Sequence, residues 1–202
     1  MVSPLVVLSG VRRGFPLLLA ALVAGCGGDA ARQDADEPTG RWTVDVEEAS
    51  FPRAQHVSRA ATLRIRVRNE EDRAIPNVAV TVEGLGGRST QSGLSDANRP
   101  VFIIDRAPTG GTTAYTNTWA LGRIPPGETK TFEWKVTPVK ASPEGKPFDV
   151  KWRVAAGLDG KAVARLAGGG TPQGSFRVNV SREPSQSRVD PDSGDVIRDS
   201  AG

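Results

Sequence analysis

One cysteine, one histidine, one tyrosine and one methionine occur in the whole 202-residue chain, and this scarcity excludes much. A lone cysteine, Cys26, cannot close an intrachain disulfide. Sites built from clusters of Cys and His, whether for a transition metal or for nucleophilic catalysis, lack their raw material. No block of five like charges occurs, and the uncharged apolar run ending at Cys26 is too short to span a membrane, which takes about 20 residues. The formal net charge of +3 includes Arg12 and Arg13, which lie in a segment expected to be removed. Without them 24 basic residues face 23 acidic ones, a net of +1. A chain this close to neutrality lacks the electrostatic footprint of a nucleic-acid binder, and none is expected as a partner.

At the N-terminus, Arg12-Arg13 precede Gly14-Phe15-Pro16 and the apolar run Leu17 to Val23, followed by Ala24-Gly25-Cys26. A positive region, a short apolar stretch and small residues before a cleavage point make the layout of a signal peptide. Val23-Ala24-Gly25-Cys26 resembles the bacterial lipobox, which implies cleavage after residue 25 and a lipid on Cys26. Arg12-Arg13-Gly14-Phe15 also resembles part of a twin-arginine export signal. The expectation is an exported protein, lipid-anchored to the cell membrane on its extracytoplasmic face. Residues 26–40 are rich in Gly, Ala and Asp with no apolar pattern and read as a flexible tether, extending by roughly 3.3 to 3.6 Å per residue at full stretch.

From residue 41 to 182 the dominant period is two, the mark of half-buried strands. Apolar residues alternate with polar ones at Trp42, Val44, Val46, at Leu63, Ile65, Val67, and at Val78, Val80, Val82. The same grammar recurs at Phe132, Trp134, Val136, then at Phe148, Val150, Trp152, Val154, and at Phe176, Val178, Val180. Turn chemistry separates these runs, notably Pro125-Pro126-Gly127 and Asp159-Gly160. The pattern predicts an all-β Ig-like sandwich of about seven to eight antiparallel strands in Greek-key order. Residues 183–202 hold only Val189, Val196 and Ile197 as aliphatics and read as a disordered tail.

Two stretches carry a family likeness. Arg66-Val67-Arg68-Asn69-Glu70 through Ile75-Pro76-Asn77-Val78-Ala79-Val80, and later Leu121-Gly122-Arg123-Ile124-Pro125-Pro126-Gly127-Glu128-Thr129-Lys130-Thr131-Phe132, resemble bacterial surface Ig-like domains of the cell-adhesion-related (CARDB-like) kind. The resemblance spans roughly residues 41–181 and implies an Ig-like surface module. This chain departs from it by a longer insert, residues 84–118. That insert is expected to form an extra edge strand plus a mobile rim, with Arg88, Tyr115 and Trp119 as candidate partner contacts, because interfaces favour aromatic and arginine side chains. The competing expectation is that Trp119 is core.

Candidate chemistry is sparse. His56 alone holds no metal and has no nucleophile spaced around it. Gly84-Leu85-Gly86-Gly87 lacks the following helix that would complete a phosphate cradle. Asp96 and Asn98 fall far short of the six to eight oxygens calcium takes. Arg64, Arg66 and Arg68 are expected to form a solvated face paired with Asp45 and Glu47 on a neighbouring strand. No catalytic residue, cofactor or metal is assigned. The expected function is that of a non-enzymatic, lipid-anchored cell-envelope protein whose Ig-like domain serves protein interaction, adhesion or spacing, through an envelope protein partner. The alternative is a solute- or glycan-binding lipoprotein.

Overall fold

Alternation at period two is realised as strands wherever it occurs. The computed structural model describes residues 37–87, 100–111, 113, 115–182 and 187–198. Its strands are β1 (Gly40–Ser50), β2 (Ala54–His56), β3 (Ala61–Asn69), β4 (Ala79–Val82), β5 (Leu85–Gly86), β6 (Phe102–Arg106), β7 (Thr118–Ala120), β8 (Thr129–Pro138), β9 (Phe148–Ala155), β10 (Ala162–Leu166), β11 (Gln173–Ser181), β12 (Ser187–Val189) and β13 (Val196–Arg198).

Two sheets, ordered β10-β1-β3-β8-β6-β5 and β2-β11-β9-β4-β7, bury their facing sides against each other. The strands β1-β3-β8-β6 and β4-β9-β11 occupy the A-B-E-D and C-F-G positions of an Ig-like sandwich. Those seven strands match the expected number. The remaining four, β10, β5, β2 and β7, are short additions that cap the four sheet edges. Three of them pair in parallel, β10 with β1, β2 with β11 and β5 with β6, against the antiparallel expectation. Each reaches its edge by crossing from the opposite sheet, so no hairpin forces it antiparallel. Short caps of this kind blunt the open edges of a sandwich.

The core is what the alternation predicts. Leu63 pairs across the ladder with Trp134 and Ile65 with Phe132, and all four are fully buried. Each contributes about 1.5–3 kcal/mol of hydrophobic stabilisation. Phe102, from the insert, is fully buried too and places β6 between β8 and β5, inside the sheet instead of at its rim. Trp152 departs from the pattern. It shares the inner face of β9 but is only half-buried, because its cross-strand neighbour is Gly174; a Cβ there would come within 2.8 Å of the indole. The ring lies over that glycine and stacks on Phe176 at 6.3 Å.

The two stretches that carry the family likeness meet at Asn69, which is fully buried. Its amide nitrogen donates to the carbonyls of Arg73 at 2.8 Å, Pro125 at 3.0 Å and Ile124 at 3.1 Å, while its side-chain oxygen accepts from the Glu71 N–H at 3.0 Å. Ile75 and Ile124 exchange backbone hydrogen bonds beside it, and the Gly127 N–H donates to the Asn69 carbonyl. The motifs therefore form one polar staple binding two turns distant in sequence.

The boundaries of the tether and tail shift slightly. Glu37, expected in the free tether, accepts hydrogen bonds from the Leu158 and Asp159 N–H groups and from the Asn77 side-chain amide. Its carboxylate sits against Gly157, where a Cβ would collide with it. Within 183–202, expected to lack order, β12 and β13 form a hairpin whose turn is organised by Asp190 Oδ1 accepting from the Asp192 and Ser193 N–H groups. A two-stranded hairpin alone is marginally stable in water.

Candidate functional site

The outer faces of the two sheets differ in how their charges are answered. On the first sheet Arg64 meets Glu133 at 2.6 Å and Glu48 at 3.9 Å, Arg66 meets Glu47 at 3.1 Å, Arg68 meets Glu70 at 3.2 Å and Arg106 meets Glu133 at 3.2 Å. A bulge between Val46 and Glu48 lets both consecutive glutamates reach the arginine row. Hydrogen bonding from Arg64 holds the Glu133 carboxyl below its ordinary range, and the same bond raises the Arg64 guanidinium. Pairing of this row was expected, with Asp45 and Glu47. Glu47 takes part; Asp45 stands opposite Arg68 in register, but Arg68 pairs with Glu70.

The second sheet presents a groove of about 560 Å³ across β4, β9 and β11. Its rows follow from register: Ser175 beside Lys151, and Gln173, Arg153 and Thr81 in line, with Asp149 at one end and its cross-strand neighbour Arg177 outside the lining. Glu83 joins through its N–H, which donates to the Lys151 carbonyl. Among the described residues Glu83, Asp149, Lys151, Arg153 and Arg177 form no ion pair. A mixed-charge, concave face of this kind offers hydrogen bonds and charge complementarity to a macromolecular surface. These groove residues escaped the sequence reading, although the alternation marks Asp149, Lys151 and Arg153 as outward. Whether a neighbour neutralises an outward charge depends on strand order, which alternation does not encode.

Tyr115 is 39% exposed and lines a smaller depression continuous with the groove through Thr81 and Arg153. The turn that carries it is set by Asn117 at φ 55° and by the Thr113 hydroxyl, which donates to the Thr118 carbonyl. Trp119 is a correction to the candidate contacts. Thr118 points outward to share a 2.9 Å hydroxyl contact with Thr81, so by alternation Trp119 points inward, where it meets Trp134 edge-to-face at 5.2 Å. Arg88, Cys26, Asp96 and Asn98 lie outside the described residues. His56 sits on β2, across the second sheet from β7, and Leu85–Gly86 are strand β5. Among the described residues no group of three or more His, Cys, Asp or Glu is placed to hold a metal ion, and no helix is long and apolar enough to cross a membrane. Among the described residues Trp42, Trp119 and Trp134 are buried, which leaves Trp152 and Tyr115 as the Trp and Tyr rings open to a glycan.

No family model matches the chain, and no curated protein matches it. Among solved structures it is similar to the CARDB domain of PF1109 from Pyrococcus furiosus in solution, with 17% identity over 70% of this chain and 94% of that one, at a TM-score of 0.40. A crystal structure of the same domain in complex with di-metal ions gives 16% identity over 69% and 86%, at 0.39. Native alpha-2-macroglobulin from Escherichia coli, from domain MG7 to the C-terminus, gives 14% identity over 78% of this chain and 21% of that one, at 0.40.

Proposed function

We propose that this is a non-enzymatic protein of the cell envelope, exported and lipid-anchored through Cys26 on the extracytoplasmic face of the membrane, whose Ig-like domain serves protein interaction, adhesion or spacing. The observation that carries the reading is the contrast between the sheet faces: one pairs its arginine row with glutamates, while the other leaves Glu83, Asp149, Lys151 and Arg153 without an ion pair over a groove. Unpaired charge in a concave face favours a partner that supplies the complementary groups and slows dissociation. The lipobox-like end and tether support the anchoring part.

A photo-crosslinking side chain at Lys151, compared with one at Thr131 on the opposite face, tests the interaction. Adducts in native membranes are expected from Lys151 alone; equal yields from both faces refute the assignment. Cys26→Ser is expected to move the protein from the membrane to the soluble fraction and to abolish incorporation of a labelled fatty acid. Unchanged membrane retention and labelling would refute the anchor.

A further inference from the structure

Strand β11 is paired with β9 from Gln173 to Val178, but on its other side β2 covers only Asn179 to Ser181. The direction of its free backbone groups can be read from its hydrogen bonds. The Asn179 N–H donates toward β2, to the Arg53 carbonyl, and the Ser181 carbonyl accepts from Val57 on the same side. The Pro172 carbonyl accepts from Val154 on β9. Odd-numbered residues therefore face away from β9, and the N–H and C=O groups of Gln173, Ser175 and Arg177 face an edge where no described residue meets them. An open row of this kind is a template for strand addition.

Beside that edge lies a cleft of about 750 Å³ between the ends of the two sheets. Its wall is aromatic: Phe51 packs edge-to-face on Phe176 at 5.9 Å, and Phe176 stacks on the half-buried Trp152. Arg53 and Arg177 line its mouth, both exposed and neither ion-paired among the described residues. A strand laid along residues 173–177 would send alternate side chains into the aromatic wall and the others toward the arginines.

From this juxtaposition we infer that the β11 edge binds an extended acidic peptide segment of a partner protein, with apolar residues at alternate positions, by β-strand addition. Charge selects this occupant over a second copy of the chain, which would bring the same two arginines to the same edge. The described strands of the chain's own tail, β12 and β13, pair with each other and not with β11. The inference is distinct from the groove reading: crosslinking at Lys151 reads the groove, and the amides of residues 173–177 read the edge.

The test uses the secreted chain carrying Cys26→Ser and three acetylated hexapeptides: alternating Glu and Val, alternating Lys and Val, and the Glu-Val peptide N-methylated at alternate amides. The Glu-Val peptide is expected to bind and to slow hydrogen exchange of the Gln173, Ser175 and Arg177 amides about tenfold or more, with N-methylation weakening binding by about tenfold. Ser175→Pro, which removes one edge N–H at a position where proline is tolerated, and Arg177→Glu are each expected to weaken it comparably. If Ser175→Pro unfolds the domain, the N-methylated peptide makes the same test on the unaltered edge. The inference is overturned by any of three results: no slowed exchange at about 1 mM peptide, equal binding of the Lys-Val or N-methylated peptide, or protection of these amides by self-association in the absence of peptide.

Discussion

Removing the side-chain amide of Asn69 should destabilise the domain more than any other single polar substitution in it. In Asn69→Ala the Ile124 carbonyl keeps its bond from the Ile75 N–H, and the Pro125 carbonyl keeps a longer one from Glu128, so neither is fully orphaned. The Arg73 carbonyl and the Glu71 N–H lose the partners that Asn69 gave them. Two orphaned groups at about 1–2 kcal/mol each, with the weakened third, sum to about 3 kcal/mol. That is a large part of the 5–15 kcal/mol typical of a domain. At about 2–4 °C per kcal/mol for a domain of this size, the melting temperature should fall by roughly 6–12 °C. The urea midpoint, followed by tryptophan fluorescence, should fall by about 1–2 M. Asn69→Asp should be at least as damaging at neutral pH, since it keeps the acceptor for Glu71 but turns an anionic oxygen toward three carbonyls. A loss below about 1 kcal/mol, or an aspartate variant as stable as the parent, would refute the staple.

Glu71 gives a pH signature: hydrogen bonds from the hydroxyl and the N–H of Thr43 hold its carboxyl below the ordinary range. A depressed folded value means that its contribution is fully present above the unfolded value of roughly 4.3 and is lost as pH falls through the folded one. Acid titration of stability should therefore be shallower in Glu71→Gln, and an unchanged profile would contradict the assignment. Trp134 is fully buried and its indole N–H meets no polar acceptor. Trp134→Phe should then lose volume but no hydrogen bond, costing about 1–2 kcal/mol against about 3–5 for Trp134→Ala by urea denaturation, and near-equal costs would imply a missed bond. Arg64→Ala breaks two exposed pairs and should shift the melting temperature little, with the shift shrinking further as salt rises; a large salt-independent loss would mean that the row carries stability.

Strand positions were legible because a half-buried strand writes its burial into alternate residues. All six alternating runs became strands, and both Leu63-Ile65-Val67 and Phe132-Trp134-Val136 line the core as their spacing dictates. Glu37 was illegible, since its anchoring depends on a turn 121 and 122 residues away, and a polar composition looks the same whether free or bound. The edge strands β2, β5 and β7 were illegible for a related reason: at two or three residues each they are too short to show a period. The half-exposure of Trp152 turns on Gly174, a partner that only register reveals.

The same distinction separates what the turn motifs say from what they leave unsaid. Asn69, Pro125 and Gly127 belong to the stretches that carry the family likeness, and the hydrogen bonds they make hold two turns together, so the likeness reports folding. Neither the groove at Lys151 and Arg153 nor the open edge at Ser175 contains any of these residues. A protein could keep the staple unchanged while its outward positions on β9 and β11 vary freely, since substitutions there orphan no buried group. Exchange of Asp149, Lys151 and Arg153 together for serine should for that reason leave the melting temperature within a few degrees of the parent while abolishing the adducts formed from the same face, read by a crosslinker moved to Thr81. If that triple variant instead unfolds, the charges belong to the architecture of the sheet, and its outer face is not a surface kept for a partner.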